Sequence, residues 1–158
     1  MPELVFLRHG HSLSAREAGV AHDAERPLSP LGEAEVRQAA ERLLAGGFAP
    51  DLIIHSPFLR ADRTARIAAA VFPAARIQAS AALCEGPLQA VLDLAESAAG
   101  RSVLLVGHQP LLGAAAGFYL GSGPLDLSPA GFVRISLNAA RHKLLELYAP
   151  PAPKEKTC

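Results

Sequence analysis

Two kinds of hydrophobic pattern alternate along this chain. Leu4-Val5-Phe6-Leu7, Leu52-Ile53-Ile54 and Val103-Leu104-Leu105-Val106 are short runs with no polar interruption, the mark of strands buried on both faces. Arg76-Ile77-Gln78 is a weaker strand candidate. Between them, apolar residues recur at helical spacing. Ser29-Pro30 reads as an N-cap followed by a first helical residue, Val36, Ala39, Ala40, Leu43 and Leu44 form the stripe, and Gly46-Gly47 ends it. Ser56-Pro57 repeats the start signal for a helix that continues through Ile67, Ala68 and Val71 to Pro73. Residues 87–99 are helical through Val91, Leu92, Leu94 and Ala95, and Gly107-His108-Gln109-Pro110 precedes another helix reaching Tyr119. After a turn-rich region from Gly121, residues 132–137 and 143–147 make a hairpin whose turn is 138–142. Residues 15–28 are polar and irregular and read as an exposed loop, while 149–158 read as a disordered tail rich in Pro and Lys.

Strands alternating with helices predict an α/β fold with a largely parallel sheet covered on both faces, and the C-terminal hairpin adds an antiparallel edge. No repeat or linker divides the sequence, so residues 1–148 are expected to form one domain.

Composition narrows the function. Formal net charge is zero and the pI is near 7.0, without the excess of Lys and Arg that nucleic acid or an acidic membrane surface demands. No apolar run is long enough to span a bilayer, and Met1-Pro2-Glu3 does not open a secretory signal, so a cytoplasmic protein, working as a monomer, is expected. Cys84 and Cys158 make no disulfide framework. With 5% aromatics and no Trp, the core must be aliphatic.

The chemistry collects at three strand-to-helix junctions. Arg8-His9 follows the first strand, the segment from His55 to Arg60 follows the second, and His108 follows Val106. In open α/β sheets, ligands bind outside the carboxyl ends of strands, so the three junctions converge. Two arginines, two histidines and helix N-termini in one place describe an anion site, with phosphate as the leading ligand. His9-Gly10-His11 with His55 and His108 also allows a zinc shell, but Arg8 and Arg60 would repel the cation, and the barrels that carry such sites need roughly 250 residues.

Arg8-His9-Gly10, Ser56-Pro57-Phe58-Leu59-Arg60-Ala61 with Thr64, and Gly107-His108 together resemble the histidine phosphatase superfamily, which includes the cofactor-dependent phosphoglycerate mutases. The short chain and Arg26-Pro27-Leu28-Ser29 look most like its SixA-type phosphohistidine phosphatases. The resemblance implies a three-layer α/β/α sandwich with a mostly parallel sheet and one antiparallel strand. It implies that His9 attacks phosphorus and carries a phosphohistidine intermediate, while Arg8, Arg60 and His108 bind the phosphoryl oxygens; a dianionic phosphate beside His108 would favour its protonated, donating form. Neither metal nor cofactor is implied. Leu83-Cys84-Glu85 resembles the Leu-x-acid motif of the wider superfamily and makes Glu85 the candidate proton donor, although SixA-type members carry their acid earlier, where Ala81-Ala82 stands here. Ser12 is a further candidate phosphate ligand, His11 and Arg63 candidate rim residues, His55 a structural residue and Cys84 a small buried hydrophobe. The expected partner is a phosphorylated protein, phosphohistidine above all, or a small phosphate ester; a phosphate-binding module without turnover is the non-enzymatic alternative.

Overall fold

The structure is a computed structural model and describes residues 1–152, so most of the tail expected from residue 149 lies outside the described residues. Six strands form one sheet: β1 (Glu3–Arg8), β2 (Leu52–His55), β3 (Arg76–Ala79), β4 (Val103–Gly107), β5 (Phe132–Ser136) and β6 (Lys143–Tyr148), in the order β3-β2-β4-β1-β5-β6. β1, β2, β3 and β4 pair in parallel, β5 runs antiparallel to both β1 and β6, and β5 is therefore the single reversed strand.

The uninterrupted apolar runs follow from layers on both faces. Leu4, Phe6, Ile54, Leu105 and Val133 pack against α4 (Leu88–Ser97) and α5 (Leu111–Leu120). Their alternate neighbours Val5, Leu7, Ile53, Leu104 and Val106 pack against α2 (Pro30–Ala45) and α3 (Leu59–Val71). The α2 and α3 faces consist largely of Ala39, Ala40, Ala61, Ala65 and Ala68, all fully buried, and such small side chains let the helices lie close on the sheet. No helix among the described residues is long and apolar enough to cross a membrane.

Two local expectations need correction. Residues 15–28 are not irregular throughout. Ser14 and Glu17 close a capping box on a one-turn helix, α1 (Ala15–Ala18), a 3₁₀ turn spans Asp23–Glu25, and Ser12 bridges Leu28. The Ser-x-x-Glu spacing is itself a readable signal. Helix α3 starts at Leu59 with Phe58 as its cap residue, so Ser56-Pro57 lies before it. Ser56 is fully buried and its hydroxyl is committed elsewhere.

Candidate active site

The carboxyl ends of β1, β2 and β4 lie side by side, and their register places Arg8 opposite Gly107 and His55 opposite Val106. The segment after β1 is held on every side. His9 N–H donates to the Gly107 carbonyl at 3.0 Å, and Arg8 N–H to that of Gly131 at 3.0 Å. Ala130 N–H is shared between the Arg8 and His9 carbonyls at 3.2 and 3.1 Å. Ala130 adopts φ 59°, a conformation that costs a non-glycine residue about 1–2 kcal/mol and that the surrounding bonds impose. Gly10 N–H donates to Thr64 Oγ1 at 3.1 Å, and that hydroxyl donates to the Arg60 carbonyl at 2.8 Å, so α3 grips the segment it faces. On the other side α2 comes so close that a Cβ on Gly32 would stand 2.0 Å from the His11 carbonyl oxygen.

These elements enclose an open cleft of about 540 Å³ lined by Arg8, His9, Phe58, Arg60, His108 and Gln109, with His11, Ser12, Arg26, Cys84 and Pro129 around them. His9 is 8% exposed. Its Nδ1 lies 2.7 Å from the Gly10 carbonyl, which accepts only, so Nδ1 carries the proton and Nε2 keeps a free lone pair. Burial, followed by the charges of His108, Arg60 and Arg8, pushes its pKa down to about 4, against the smaller opposing effect of the Gly10 bond. The ring is therefore neutral at pH 7. Its centroid lies 5.1 Å from that of His108.

Arg8 donates through Nη1 to the Leu127 carbonyl at 2.9 Å, and its Nε is buried without a hydrogen-bond partner among the described residues. Arg60, 8% exposed, stacks on Phe58 at 5.1 Å and donates through Nη1 and Nη2 to the carbonyl and carboxylate of Asp23, at 2.8 and 2.9 Å. Asp23 also receives Arg26 Nη1 at 2.9 Å; hydrogen bonds from Arg26 and Arg60 hold its carboxyl below the usual range, as an anion. His108 Nε2 lies 2.8 Å from Ser56 Oγ, and Phe58 meets the ring edge-on at 5.2 Å. Burial, then the Arg60 charge, pushes its pKa to about 4, so the ligand-free ring is neutral rather than protonated. The expectation of a charged His108 concerns the ring beside a phosphate dianion, a charge that the ligand-free cleft does not supply.

The structure thus brings together Arg8, His9, Arg60, His108 and Ser12. Ser12 Oγ accepts from Arg26 Nη2 at 2.9 Å at the cleft margin, and His11 sits beside it with Nδ1 2.6 Å from Ser29 Oγ. Glu85 is exposed and does not line the cleft; its neighbour Cys84 does, half-buried rather than a core hydrophobe, with Sγ donating to the Ala81 carbonyl. Arg63 faces a separate groove between α2 and α3 with Glu33, Arg37 and Glu41, not the cleft rim. His55 is buried, with Nδ1 donating to the Ser56 carbonyl at 2.8 Å. His9, His11, His55 and His108 do not form a group able to hold a metal ion, nor does any other His, Cys, Asp and Glu cluster among the described residues. Motif reading gave Ser56 to capping, named Arg26 only as part of the Arg26-Pro27-Leu28-Ser29 string, and passed over Asp23, yet all three bond to residues of the cleft.

The family model of the histidine phosphatase superfamily (branch 1) matches residues 4–89, more than half of the chain. The chain belongs to the histidine phosphatase superfamily. It is 36% identical to an uncharacterised protein of Picosynechococcus sp., over 96% of this chain and 97% of that one. Among solved structures it resembles one described as the phosphohistidine phosphatase SixA of Agrobacterium tumefaciens, with a TM-score of 0.84, 25% identity, and coverage of 95% of this chain and 99% of that one. It shares its fold with the protein histidine phosphatase SixA bound to tungstate, at a TM-score of 0.80 and 23% identity, over 94% of this chain and 97% of that one. The superfamily member described here is a histidine-nucleophile phosphatase with the α/β/α sandwich of the phosphoglycerate mutases.

Proposed function

We propose that this phosphatase removes the phosphoryl group from phosphohistidine carried on a protein, with His9 as its nucleophile. His9 Nε2 attacks phosphorus in line with the scissile P–N bond, which breaks as the new P–N bond forms; water then releases phosphate and restores the free ring. Arg8 and Arg60 supply permanent, forked donors to the phosphoryl oxygens, and His108 lies against the same group. Phosphoryl transfer asks mainly for such positioning and charge stabilisation.

The observation that carries the choice of substrate is the cleft lining. It contains three arginines and three histidines and, among the described residues, no carboxylate. Asp23, the carboxylate bound to Arg60, is held ionised and is a poor proton donor. Glu85 is exposed and is not among the residues lining the cleft. An alkoxide leaving group, whose conjugate acid has a pKa of about 16 like water, needs a proton delivered to oxygen as the bond breaks. A phosphorylated imidazole brings its own second nitrogen, which takes a proton from solvent near pH ~6.5, so the ring departs neutral without an enzyme acid. The likeness to SixA phosphohistidine phosphatases supports the same reading.

The test is a leaving-group series on metal-free protein: a phosphohistidine-bearing protein, an aryl phosphate with a leaving-group pKa of about 10, and an alkyl phosphate. Rates should fall steeply in that order, and His9→Ala should remove turnover by several orders of magnitude with the fold intact. Equal rates on alkyl phosphate and phosphohistidine would replace the reading with that of a general phosphomonoesterase. Phosphate binding without turnover of any substrate would make the chain a binding module.

A further inference from the structure

We infer that Ser56 is a positioning residue that fixes the tautomer of His108, making the ring a neutral hydrogen-bond donor to the transferring phosphoryl group. The inference rests on the reading that His108 meets that group, and goes beyond it by naming what sets the ring's proton.

Ser56 Oγ is fully buried and has two neighbours in hydrogen-bonding range among the described residues. Phe58 N–H donates to it at 3.2 Å, which uses a lone pair. The other neighbour is His108 Nε2 at 2.8 Å. A hydroxyl sealed from water keeps its own proton satisfied, because a buried donor left without an acceptor costs about 1–3 kcal/mol. His108 Nε2 is the acceptor on offer, so the serine O–H points at it. Nε2 then holds a lone pair and the ring proton resides on Nδ1, which has no hydrogen-bond partner among the described residues, on a residue that lines the cleft.

The hydroxyl is rigidly placed. Ser56 N–H donates to the Val106 carbonyl at 3.0 Å, across the β2–β4 register, and the Ser56 carbonyl accepts from His55 Nδ1 at 2.8 Å. His55 thereby acts on the same device without touching the cleft. The surroundings of His108 agree: burial above all, then the charges of Arg60 and Arg8, discourage a second proton on the ring, and Asp23 opposes them more weakly than Arg60 acts. A neutral ring with Nδ1–H still donates, which reconciles a low pKa with a phosphate-binding role.

The experiment is ¹⁵N imidazole NMR on histidine-labelled protein at pH 7, in wild type, Ser56→Ala and Ser56→Thr, with kcat and KM for an aryl phosphate measured on the same samples. Expected are a protonated Nδ1 and an unprotonated Nε2 for His108 in wild type, and loss of that pattern in Ser56→Ala. kcat/KM should fall by roughly 10- to 100-fold, below or at the low end of what removing one transition-state donor costs. Ser56→Thr should restore both the signature and most of the rate. A wild-type His108 protonated on Nε2 overturns the inference, as does a Ser56→Ala protein with the tautomer unchanged. The wild-type spectrum is decisive even if the alanine variant fails to fold. It is also independent of turnover, so a failed phosphatase assay and a wrong tautomer are separable results.

Discussion

Gly32→Ala places a methyl group where α2 meets the segment that carries His9. Its Cβ would stand 2.0 Å from the His11 carbonyl oxygen and 2.9 Å from both its carbonyl carbon and its nitrogen. All of these are backbone atoms, so no side chain can swing aside. The same carbonyl accepts from Ser29 N–H at 2.9 Å, and His11 Nδ1 meets Ser29 Oγ at 2.6 Å, so helix and segment must separate as units. Reaching even the tightest tolerated contact needs a shift of about 1 Å, and a displacement of that size beside a reacting group costs on the order of 100-fold in rate. Gly10, between His11 and His9, has Gly32 and Val36 just beyond it and transmits the shift. Overpacking costs about 1–3 kcal/mol, partly offset by the roughly 1 kcal/mol by which alanine favours a helix over glycine. The assay pairs kcat/KM on an aryl phosphate with the denaturant midpoint, and uses Gly123→Ala, which meets nothing within 4 Å, as control. A Gly32→Ala enzyme with the wild-type rate would show that the close approach does not position the nucleophile.

Three further outcomes are expected. Titration of His9 by NMR should give a midpoint near 4, so the reactive neutral form persists down to about pH 5; a midpoint at the ordinary 6.5 would mean the ring is more hydrated than its burial implies. Because the folded pKa lies below the unfolded one, the stability owed to neutral His9 is complete above pH 6.5 and is lost as pH falls toward 4, by at most about 3 kcal/mol. The difference in unfolding free energy between wild type and His9→Asn should follow that window, and a difference that grows above pH 7 instead would contradict the sign. Asp23→Ala should lower kcat/KM by about tenfold by loosening Arg60, while costing under about 1 kcal/mol of stability since the carboxylate is 58% exposed. Unchanged kinetics would show that Phe58 stacking and burial suffice to aim the guanidinium.

The strands and the layering were legible because their cause is local: apolar runs without interruption require cover on both faces, and α2–α5 supply it. Arg8, His9 and His108 were legible as a group because each stands at a strand end, where topology rather than side-chain detail decides proximity. What stayed hidden depends on direction or distance. Cys84 and Glu85 are neighbours at the exit of a 3₁₀ turn, and which of the two lines the cleft is set by the local backbone path: Cys84 does, while Glu85 is exposed outside it. Asp23 reaches Arg60 across 37 positions of sequence, a pairing that no spacing rule encodes. Ser56-Pro57 carries a genuine helix-start signal, overridden because the hydroxyl is drawn into the buried junction between β2 and β4.

Thr64 stands on the same helix as Arg60 and holds Gly10, so the segment of His9 and the helix of Arg60 are tied together and the socket is present without a ligand. A preassembled socket that stays open on one side can serve a phosphoryl group presented at the surface of a large partner, with no need to engulf it. In this structure the mouth of the cleft is open to solvent. On the proposed reading, a phosphorylated His9 in such a place would meet solvent sooner than a second acceptor, which would favour hydrolysis over group transfer.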